Sequence, residues 1–435
     1  MNEKVIHDPL HGSISVDGVF LDILSRHEMQ RLRNVKQLGM ANTVFPGANH
    51  TRLEHSLGTY HLAGRMAAAI GLNREDTKHV RAAALLHDVC HLPYSHNLSE
   101  MYENRTGADH METARSLIKG TMPTYHERDE DLLGGSGTIA ELLESDGISA
   151  NAVCDLISKP RSDVKGLDAF MSAGEKQSFF SSKDHLHQII HGPVDADQMD
   201  YLLRDSHYTG VAHGAIDTER LLTQMKIHNN TIVLERGGVA AAEGLMVSRA
   251  LMYTSVYFNK TVRIAEMMLS KATELSDVDT GTLHLMDDPS LMSRLIADGG
   301  RPSEMMRLLI HRKLYKKAFS AYSIDMDEDQ TSKIVRYSKY GDKKKLEDEI
   351  ADMAGIDYSE VIADVPSRSS LLSQVKIGKT DVSILYDGRV RPITRISPVS
   401  KALQSRDTFD WAIMISAPDE HTERVKKAAA SILSL

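Results

Sequence analysis

The sequence predicts a mainly α-helical core followed by a smaller α+β module at the carboxyl end. Apolar residues recur at three- and four-residue steps over 62–70, 80–86 and 245–272, which is the period of an amphipathic helix. Strand-like apolar runs appear only late in the chain, at 382–386 and 411–416. A chain of 435 residues exceeds one compact core, so two or three domains are expected.

Turn-forming residues divide the chain before this late change. Residues 1–18 contain Pro, Gly and alternating apolar positions, which predicts a short hairpin ahead of the first helix. Two polar stretches, 120–137 and 159–184, predict loops. A second hairpin is expected at 227–239, where residues 228–230 separate two short apolar runs.

The domain boundaries follow from composition. The charged segment 325–349 separates the helical part from the strand-like part. We therefore predict a core at 1–290, a helical connector at 291–329 and an α+β module at 330–435 that closes with an amphipathic helix at 419–433.

Charge and cysteine usage exclude several classes of protein. The net charge is −9, with acids and bases interspersed, so nucleic-acid binding is not expected. The basic run Lys343-Lys344-Lys345 is interpreted as a solvated helix start. Two cysteines, Cys90 and Cys154, make no disulfide framework and fit a reducing cytoplasm. Because there is no apolar leader and no stretch of membrane-spanning length, we expect a soluble, cytoplasmic protein without a membrane partner.

The run at 85–96 carries the strongest chemical signal. Adjacent His87 and Asp88 offer an imidazole nitrogen and a carboxylate oxygen, a mixed set that suits a divalent metal. The preceding apolar residues predict a buried helix that ends at Pro93, which would place His87 and His91 at i and i+4 on one face. A lone His-Asp pair is common in proteins without a metal site, so this run does not decide the question alone.

Two further segments supply the missing donors. His55 stands near the start of an apolar helix, and the acid-rich run 194–205 predicts another helix. One histidine, one His-Asp pair and a late aspartate form a four-ligand N/O set that leaves positions open for water and substrate. Asp195 and Asp197 are rivals for the last place. Without the flanking motifs, a helix-capping or core histidine is the better explanation for His55, and a solvated helix acid is the better explanation for Asp197.

In this order the segments resemble the HD-domain phosphohydrolases, and longer motifs narrow the resemblance. Residues 5–12, 30–39 and 44–52 are similar to the dNTP triphosphohydrolases typified by the vertebrate SAM-and-HD-domain enzyme, and the likeness extends to about residue 320. The resemblance implies an all-helical HD-domain core with a small hairpin element. It implies the metal ligands His55, His87, Asp88 and Asp197. The expected metal is Mn, Zn, Fe or Ni, with Mg accompanying the nucleotide phosphates.

The same resemblance implies roles around the substrate. His91 and His96 would lie against the phosphate under attack, and His110 would be the general acid, although a surface-loop histidine is the alternative there. Phosphate contacts would come from Arg52, Arg249 and Lys260. The sugar would be recognised by Gln37, Leu38, Tyr201, Asp205 and Tyr257. Ordinary helix packing is the alternative for both tyrosines.

Several positions depart from the family pattern. Gln198 stands where a basic residue usually meets the phosphates, and Phe258 replaces a polar residue near the base. Cys90 and Leu92 replace glycines of the run His-Asp-x-Gly-His-Gly-Pro. The metal ligands are unaffected, whereas affinity for the triphosphate and base preference do not follow.

Family members assemble as symmetric oligomers, which predicts a homodimer or homotetramer with a nucleotide effector between subunits. The cations near the corresponding effector positions are Arg33, Lys226, Arg236 and Arg312. Surface cations are as often merely solvated. His7 and Ser25 replace the residues that recognise an activating guanine, so we expect no activation by GTP or a changed effector preference.

Three functions remain from the sequence. The leading one is metal-dependent hydrolysis of a dNTP at its α-phosphorus, which yields a deoxynucleoside and tripolyphosphate. The second is another HD-type phosphohydrolase acting on a nucleoside monophosphate or phosphodiester, which Gln198 favours. The third is a nucleotide-sensing regulatory protein in which turnover is incidental.

Overall fold

A computed structural model of the protein describes residues 3–133, 137–158, 184–322, 325–365, 382–403 and 411–435. Most of these residues are helical. The α-helices of the described ranges are α1 Val19–Leu24, α2 His27–Arg31, α3 Arg52–Ala69, α4 Arg74–Leu86, α5 Ser99–Thr106, α6 His110–Lys119, α7 Glu130–Leu133, α8 Ile139–Ser145, α9 Ala150–Ile157, α10 Asp184–His191, α11 Ala196–Thr209, α12 Thr218–Gln224, α13 Val239–Met252, α14 Lys260–Glu274, α15 Asp288–Ala297, α16 Gly300–Ile310, α17 Glu328–Arg336, α18 Tyr340–Ala354, α19 Pro398–Leu403 and α20 Thr422–Leu433.

Short strands form three sheets within the described residues. The strands are β1 Glu3–Asp8, β2 Gly12–Asp17, β3 Met225–His228, β4 Thr231–Glu235, β5 Lys316–Ala321, β6 Ile362–Asp364, β7 Ser383–Tyr386, β8 Arg389–Pro392 and β9 Ile413–Ala417. Their orders are β1-β2, β3-β4-β7-β8 and β5-β9-β6. The predicted fold class, mainly α with a C-terminal α+β part, is confirmed.

Both predicted hairpins are present. β1 and β2 pair antiparallel from Glu3↔Asp17 to Asp8↔Gly12. β3 and β4 pair antiparallel around Asn229 and Asn230, whose positive φ values of 47° and 64° suit the two-residue turn that asparagine tolerates. β4 also pairs in parallel with β7, so a strand from the predicted C-terminal module joins the sheet of the core hairpin.

The largest apolar cluster packs α3 and α4 against α9, α10 and α11. A second cluster lies around α14, α15 and α16, and a third fills the space between the β5-β9-β6 sheet and the helices α18 and α20. The first cluster holds the start of α3, the end of α4 and the start of α11 together, and these three helix ends position the site described below.

Helix α4 ends earlier than expected. It stops at Leu86, His87 is its C-cap residue, and residues 87–90 form turns, so the prediction that His87 and His91 lie one helical turn apart was wrong. The ring nitrogen Nδ1 of His87 lies 2.8 Å from the carbonyl oxygen of Ala84, and the backbone amide of His91 donates to the backbone carbonyl of Asp88 at 3.1 Å. In a longer helix, the Ala84 carbonyl and the His91 amide would form backbone hydrogen bonds of the next turn. Here they are engaged by other partners, so the helix does not continue.

The long helix expected at 245–272 is also interrupted. After α13 a π-helical segment, Tyr253–Tyr257, carries the chain to Asn259, whose side chain accepts from Thr261 and Val262 and caps α14. The spacing of apolar residues does not predict this interruption, because a π-helical turn adds one residue to the helix while the segment remains apolar.

Three smaller predictions meet different outcomes. The stretch 120–137 contains the short helix α7 as well as turns, and residues 159–183 of the other predicted loop lie outside the described residues. The interpretation of Lys343-Lys344-Lys345 as solvated was wrong for two of its members. Lys343 pairs with Glu100, and Lys344 contacts Glu274 and Glu347 at 2.5 and 2.9 Å.

Among the described residues, no helix combines the length and the apolar character needed to cross a bilayer.

Candidate metal centre and substrate pocket

Four side chains from three helix ends converge on one point. Nε2 of His55 lies 3.2 Å from Nε2 of His87, 3.1 Å from Oδ1 of Asp197 and 3.7 Å from Oδ2 of Asp88. Nε2 of His87 lies 3.4 Å from Oδ1 of Asp88 and 3.8 Å from Oδ1 of Asp197. The structure thus brings together all four residues expected to hold the metal.

Local sequence explains why the donors face each other. Thr51 and Glu54 form a capping box at the start of α3, which fixes the first turn and points His55 into the protein. Asp195 caps α11 by accepting from the amide of Gln198, and its side chain is fully buried. That contact commits Asp195 to the helix and leaves Asp197, one position into the helix, to face His55.

The donor set fits a divalent cation. Nδ1 of His55 contacts Oδ2 of Asp200 at 2.7 Å, and Nδ1 of His87 contacts the carbonyl of Ala84, so both Nε2 atoms face the centre. A cation bound there would take the place of any proton on these nitrogens. Separations of 3.1–3.8 Å are those of donors that share an ion at roughly 2.1 Å. Such a set of two imidazoles and two carboxylates suits Zn, Mn, Fe or Ni.

The electrostatics favour positive charge at this point. Burial opposes a charged His55, but hydrogen bonds with Asp197 and Asp200 outweigh it and raise its pKa to about 10. Burial likewise opposes a charged Asp88, yet His87, His91 and Arg52 hold its pKa well below the ordinary range. The carboxylates of Asp88 and Asp197 are therefore ionised, and a divalent cation bound between them would displace the proton of His55.

A hydrogen-bond network that was not predicted from the sequence contacts Nδ1 of His55, the ring nitrogen that faces away from the other three donors. Asp200 contacts His55, His11 at 2.6 Å and Arg204 at 2.9 Å, and Arg204 reaches Asp8 at 2.8 Å. His11 and Asp8 belong to the N-terminal hairpin, within a motif that carried the family resemblance but had no assigned role. The hairpin thus orients His55, one of the four candidate metal ligands.

A group of three histidines adjoins the four donors. Nε2 of His91 lies 3.5 Å from Nε2 of His96, and the rings of His91 and His110 are 4.4 Å apart at 76°. Burial lowers the pKa of His91 well below its ordinary value and that of His110 to about 4. His96 is exposed. Cys90, two residues after Asp88, contacts His110 with Sγ 3.2 Å from Nδ1.

Arg52 lies between the metal donors and the expected sugar side. Its guanidinium donates to Oδ2 of Asp88 at 2.6 Å, to the Ser95 hydroxyl at 2.9 Å and to the Gln37 carbonyl at 3.2 Å. The side chain is buried, so its direction is set before any phosphate arrives.

Three of the five expected sugar-binding residues, Tyr201, Asp205 and Tyr257, lie on α11 and the π-helical segment. Tyr257 donates its hydroxyl to Oδ2 of Asp205 at 2.7 Å, and the rings of Tyr201 and Tyr257 are 6.2 Å apart. His50, which sequence reasoning missed, contacts Oδ1 of Asp205 at 2.8 Å. Gln37 is buried with no described hydrogen-bond partner for its side-chain oxygen.

The remaining three residues expected to contact the substrate lie in different surroundings. Arg249 donates to Oε1 of Gln198 at 3.1 Å and lies over the ring of Tyr253. Leu38 packs against the small cluster of Ala41, Ala48 and Val262. Lys260 is exposed and lines a separate cleft with Lys317 and Trp411.

The four expected effector cations are exposed and engaged within the chain. Arg33 donates to Gln30, Lys226 pairs with Glu235 at 2.5 Å, Arg236 lies over the Tyr386 ring, and Arg312 donates to the Thr43 carbonyl.

Comparison with known proteins gives two family matches, the HD domain over residues 52–144 and the HD associated region over 216–435. An uncharacterized protein of Methanocaldococcus jannaschii is 31% identical over 437 residues, covering 98% of this chain and 81% of that protein. The deoxynucleoside triphosphate triphosphohydrolase SAMHD1 of Homo sapiens is 30% identical over 294 residues, which are 62% of this chain and 44% of that enzyme.

Solved structures show the same fold. A hypothetical protein from Aquifex aeolicus superposes with a TM-score of 0.68 at 24% identity, covering 98% of this chain and 100% of that one. A phosphohydrolase from Bacteroides thetaiotaomicron superposes with a TM-score of 0.67 at 24% identity, covering 96% and 100%.

Proposed function

This chain belongs to the HD-domain family of phosphohydrolases, and from that premise we propose that it is a metal-dependent dNTP triphosphohydrolase. In the proposed reaction a water oxygen bonds to the α-phosphorus and the bond to the 5′ oxygen breaks. That oxygen takes a proton, so the products are a deoxynucleoside and intact tripolyphosphate. The similarity to the human dNTP triphosphohydrolase supports this choice within the family.

The observation that carries the proposal is the arrangement of one face of α11. Asp197, Tyr201 and Asp205 follow at four-residue steps, so they lie on one face at intervals of roughly 6 Å. Asp197 belongs to the metal donors, whereas Asp205 and Tyr257 form a polar pair two turns away. This spacing suits a nucleotide whose α-phosphate lies at the metal and whose sugar lies at Asp205.

The metal would be held by His55, His87, Asp88 and Asp197. It would supply Lewis acidity that polarises a phosphoryl oxygen and activates the attacking water. Arg52 and Arg249 would neutralise non-bridging oxygens, and Gln198 keeps Arg249 in place. Because burial keeps His91 and His110 neutral in the free protein, His110 would gain its proton only when the phosphates bring negative charge beside it. The proton then goes to the 5′ oxygen.

The sugar pocket would exclude ribonucleotides by shape. Asp205 already accepts from Tyr257 and contacts His50, and its remaining lone pairs can accept from a 3′ hydroxyl. A tyrosine ring held against C2′ leaves no room for another oxygen.

Gln198 favours a second candidate, hydrolysis of a nucleoside monophosphate or phosphodiester. Its side chain donates to Gly192 and Asp195 and accepts from Arg249, so it brings no charge to a triphosphate tail. A substrate with fewer phosphate charges loses less from this replacement.

A substrate screen tests both candidates. Purified protein is incubated with each dNTP, NTP and dNMP, and with a dinucleotide and a cyclic nucleotide as phosphodiesters, in Mn, Mg, Co or Zn, and products are separated by anion-exchange chromatography. Tripolyphosphate with a deoxynucleoside is the expected result. Orthophosphate from a monophosphate supports the second candidate, and no turnover of any nucleotide in any metal contradicts both.

A further inference from the structure

A second cluster of cysteine and histidine side chains lies beside the four donors. Ligand atoms of Cys90, His91 and His110 all lie within 4.8 Å of one another. Sγ of Cys90 is 3.2 Å from Nδ1 and 3.3 Å from Nε2 of His110. The first cluster contains only nitrogen and oxygen donors, whereas this one includes sulfur.

Two rigid segments create the cluster. Cys90 is the last residue of the turns that follow α4, His91 comes directly after it, and both are almost fully buried. His110 is the first residue of α6, whose N-cap Asp109 accepts from Glu112 at 2.7 Å. Since the backbone on both sides is fixed by helix ends, these side chains meet without any large rearrangement.

The geometry suits a tetrahedral ion. Bonds of about 2.3 Å to sulfur and 2.0–2.1 Å to nitrogen separate the donors by roughly 3.5 Å. The Cys90–His110 contact already has this length, and rotation of the His110 and His91 rings would aim a nitrogen lone pair of each at the shared ion. Nε2 of His96, 3.5 Å from Nε2 of His91, is available as a fourth ligand.

Asp88 belongs to the first cluster and also contacts the second. Its Oδ1 lies 3.2 Å from Nδ1 of His91 and 3.4 Å from Nε2 of His87. By holding Nδ1 of His91, Asp88 leaves Nε2 free to bind an ion. Cys90 supplies the soft donor that a set of histidines lacks, and thiolate with imidazole is a ligand set that selects Zn²⁺ or Co²⁺ over Mg²⁺ or Mn²⁺.

We propose that Cys90, His91 and His110 form a second metal site that binds a thiophilic divalent cation, Zn²⁺ or Co²⁺, next to the HD site. As the sulfur–metal bond forms, the Cys90 thiol proton leaves to solvent. An ion there occupies the imidazoles of His91 and His110. Resting on the proposed function, this makes excess Zn²⁺ an inhibitor, because neither histidine can then serve the phosphate or the leaving oxygen.

Cobalt titration of the full-length metal-free protein tests the site without any substrate. We expect two equivalents of Co²⁺ to bind the wild type, one of them with a thiolate-to-cobalt charge-transfer band in the near ultraviolet. Cys90→Ser and His110→Ala should each bind one equivalent, and Cys90→Ser should show no band. Cys154→Ser is the matched control, since it removes the other buried thiol and should keep both the band and the stoichiometry.

A single equivalent in the wild type, or two equivalents without the band, would overturn the proposal; circular dichroism checks that each variant is folded. The inhibition is measured with Mn²⁺ at the HD site, each variant against its own zinc-free rate. Added Zn²⁺ should inhibit Cys90→Ser at least tenfold more weakly than the wild type, and equal inhibition would contradict the link. Absence of turnover in the wild type would contradict the proposed function, while the cobalt spectrum would still decide the site.

Discussion

Nδ1 of His55 lies 2.7 Å from Oδ2 of Asp200, and this contact decides which nitrogen of His55 faces Asp197, Asp88 and His87. A ring N–H donated to a carboxylate fixes the tautomer and makes the opposite nitrogen a better ligand. Asp200 is itself held by Arg204 and His11, and all three side chains are buried or nearly so. Gly58 permits the approach, because a Cβ there would lie 1.8 Å from Oδ1 of Asp200.

Replacing the Asp200 carboxylate should therefore weaken metal binding without removing a ligand. We expect Asp200→Asn to lower metal affinity roughly 10- to 100-fold, as measured by competition with a chromophoric chelator. Gly58→Ala should act in the same direction because it displaces the same carboxylate. Asp195→Asn, on the same helix, is the control: it should leave metal affinity unchanged. Wild-type affinity in folded Asp200→Asn would show that the contact does not tune His55.

Tyr257 provides a test of sugar selectivity. The wild type should turn over dGTP in preference to GTP, and Tyr257→Ala should reduce that preference at least tenfold in kcat/KM by opening space at C2′. Tyr257→Phe keeps the ring and loses only the bond to Asp205, so it should retain the preference while binding substrate less well. Equal turnover of GTP and dGTP by the wild type would refute a steric gate.

A buried acid predicts a pH dependence of stability. Burial, opposed by Arg263 and reinforced by Asp364, raises the pKa of Glu266 from its ordinary 4.5 to about 7. A carboxyl that holds its proton more tightly when folded stabilises the protein fully below pH 4.5, and this contribution is lost as the pH rises through 7. Glu266→Gln should reduce the fall in unfolding free energy between pH 5 and pH 8 by an amount on the order of 2 kcal/mol. Parallel pH profiles of the variant and the wild type in urea denaturation would contradict this.

Assembly and activation are predicted from the family resemblance alone. We expect a homodimer or homotetramer in sedimentation velocity, with no activation by GTP or a preference for another nucleotide. Sedimentation and activity should be measured with and without GTP and each dNTP. A fully active strict monomer would defeat the assembly prediction, and strong activation by GTP alone would show that His7 and Ser25 do not change the effector.

The candidate metal ligands could be predicted from the sequence because each lies in a short motif of characteristic residue types. His87 and Asp88 are adjacent, and His55 and Asp197 each lie in the first turn of a helix with clear apolar spacing. Choosing Asp197 over Asp195 depended on the family pattern. The structure adds the physical reason, since the Asp195 carboxylate caps α11 by accepting from the amide of Gln198.

Other parts of the site could not be predicted because they depend on contacts between distant segments. His11 and Asp200 are 189 residues apart, and His50 and Asp205 are 155 apart, so local patterns do not pair them. The end of α4 was misjudged for a different reason. Pro93 is a clear stop signal, but the His87 side chain and the turn at Asp88 end the helix six residues earlier than the proline does.

The central claim is that the four donors direct water to the α-phosphorus of a dNTP. The most direct measurement is a reaction of metal-loaded protein with dGTP in ¹⁸O-labelled water, with Asp88→Ala and His55→Ala as paired variants and mass spectrometry of the products. We expect one label in tripolyphosphate, none in the deoxynucleoside, and rates lower by several orders of magnitude in both variants, which should also lose the metal. Label in orthophosphate, in pyrophosphate or in the deoxynucleoside, or full activity in either variant at normal metal occupancy, would contradict the account.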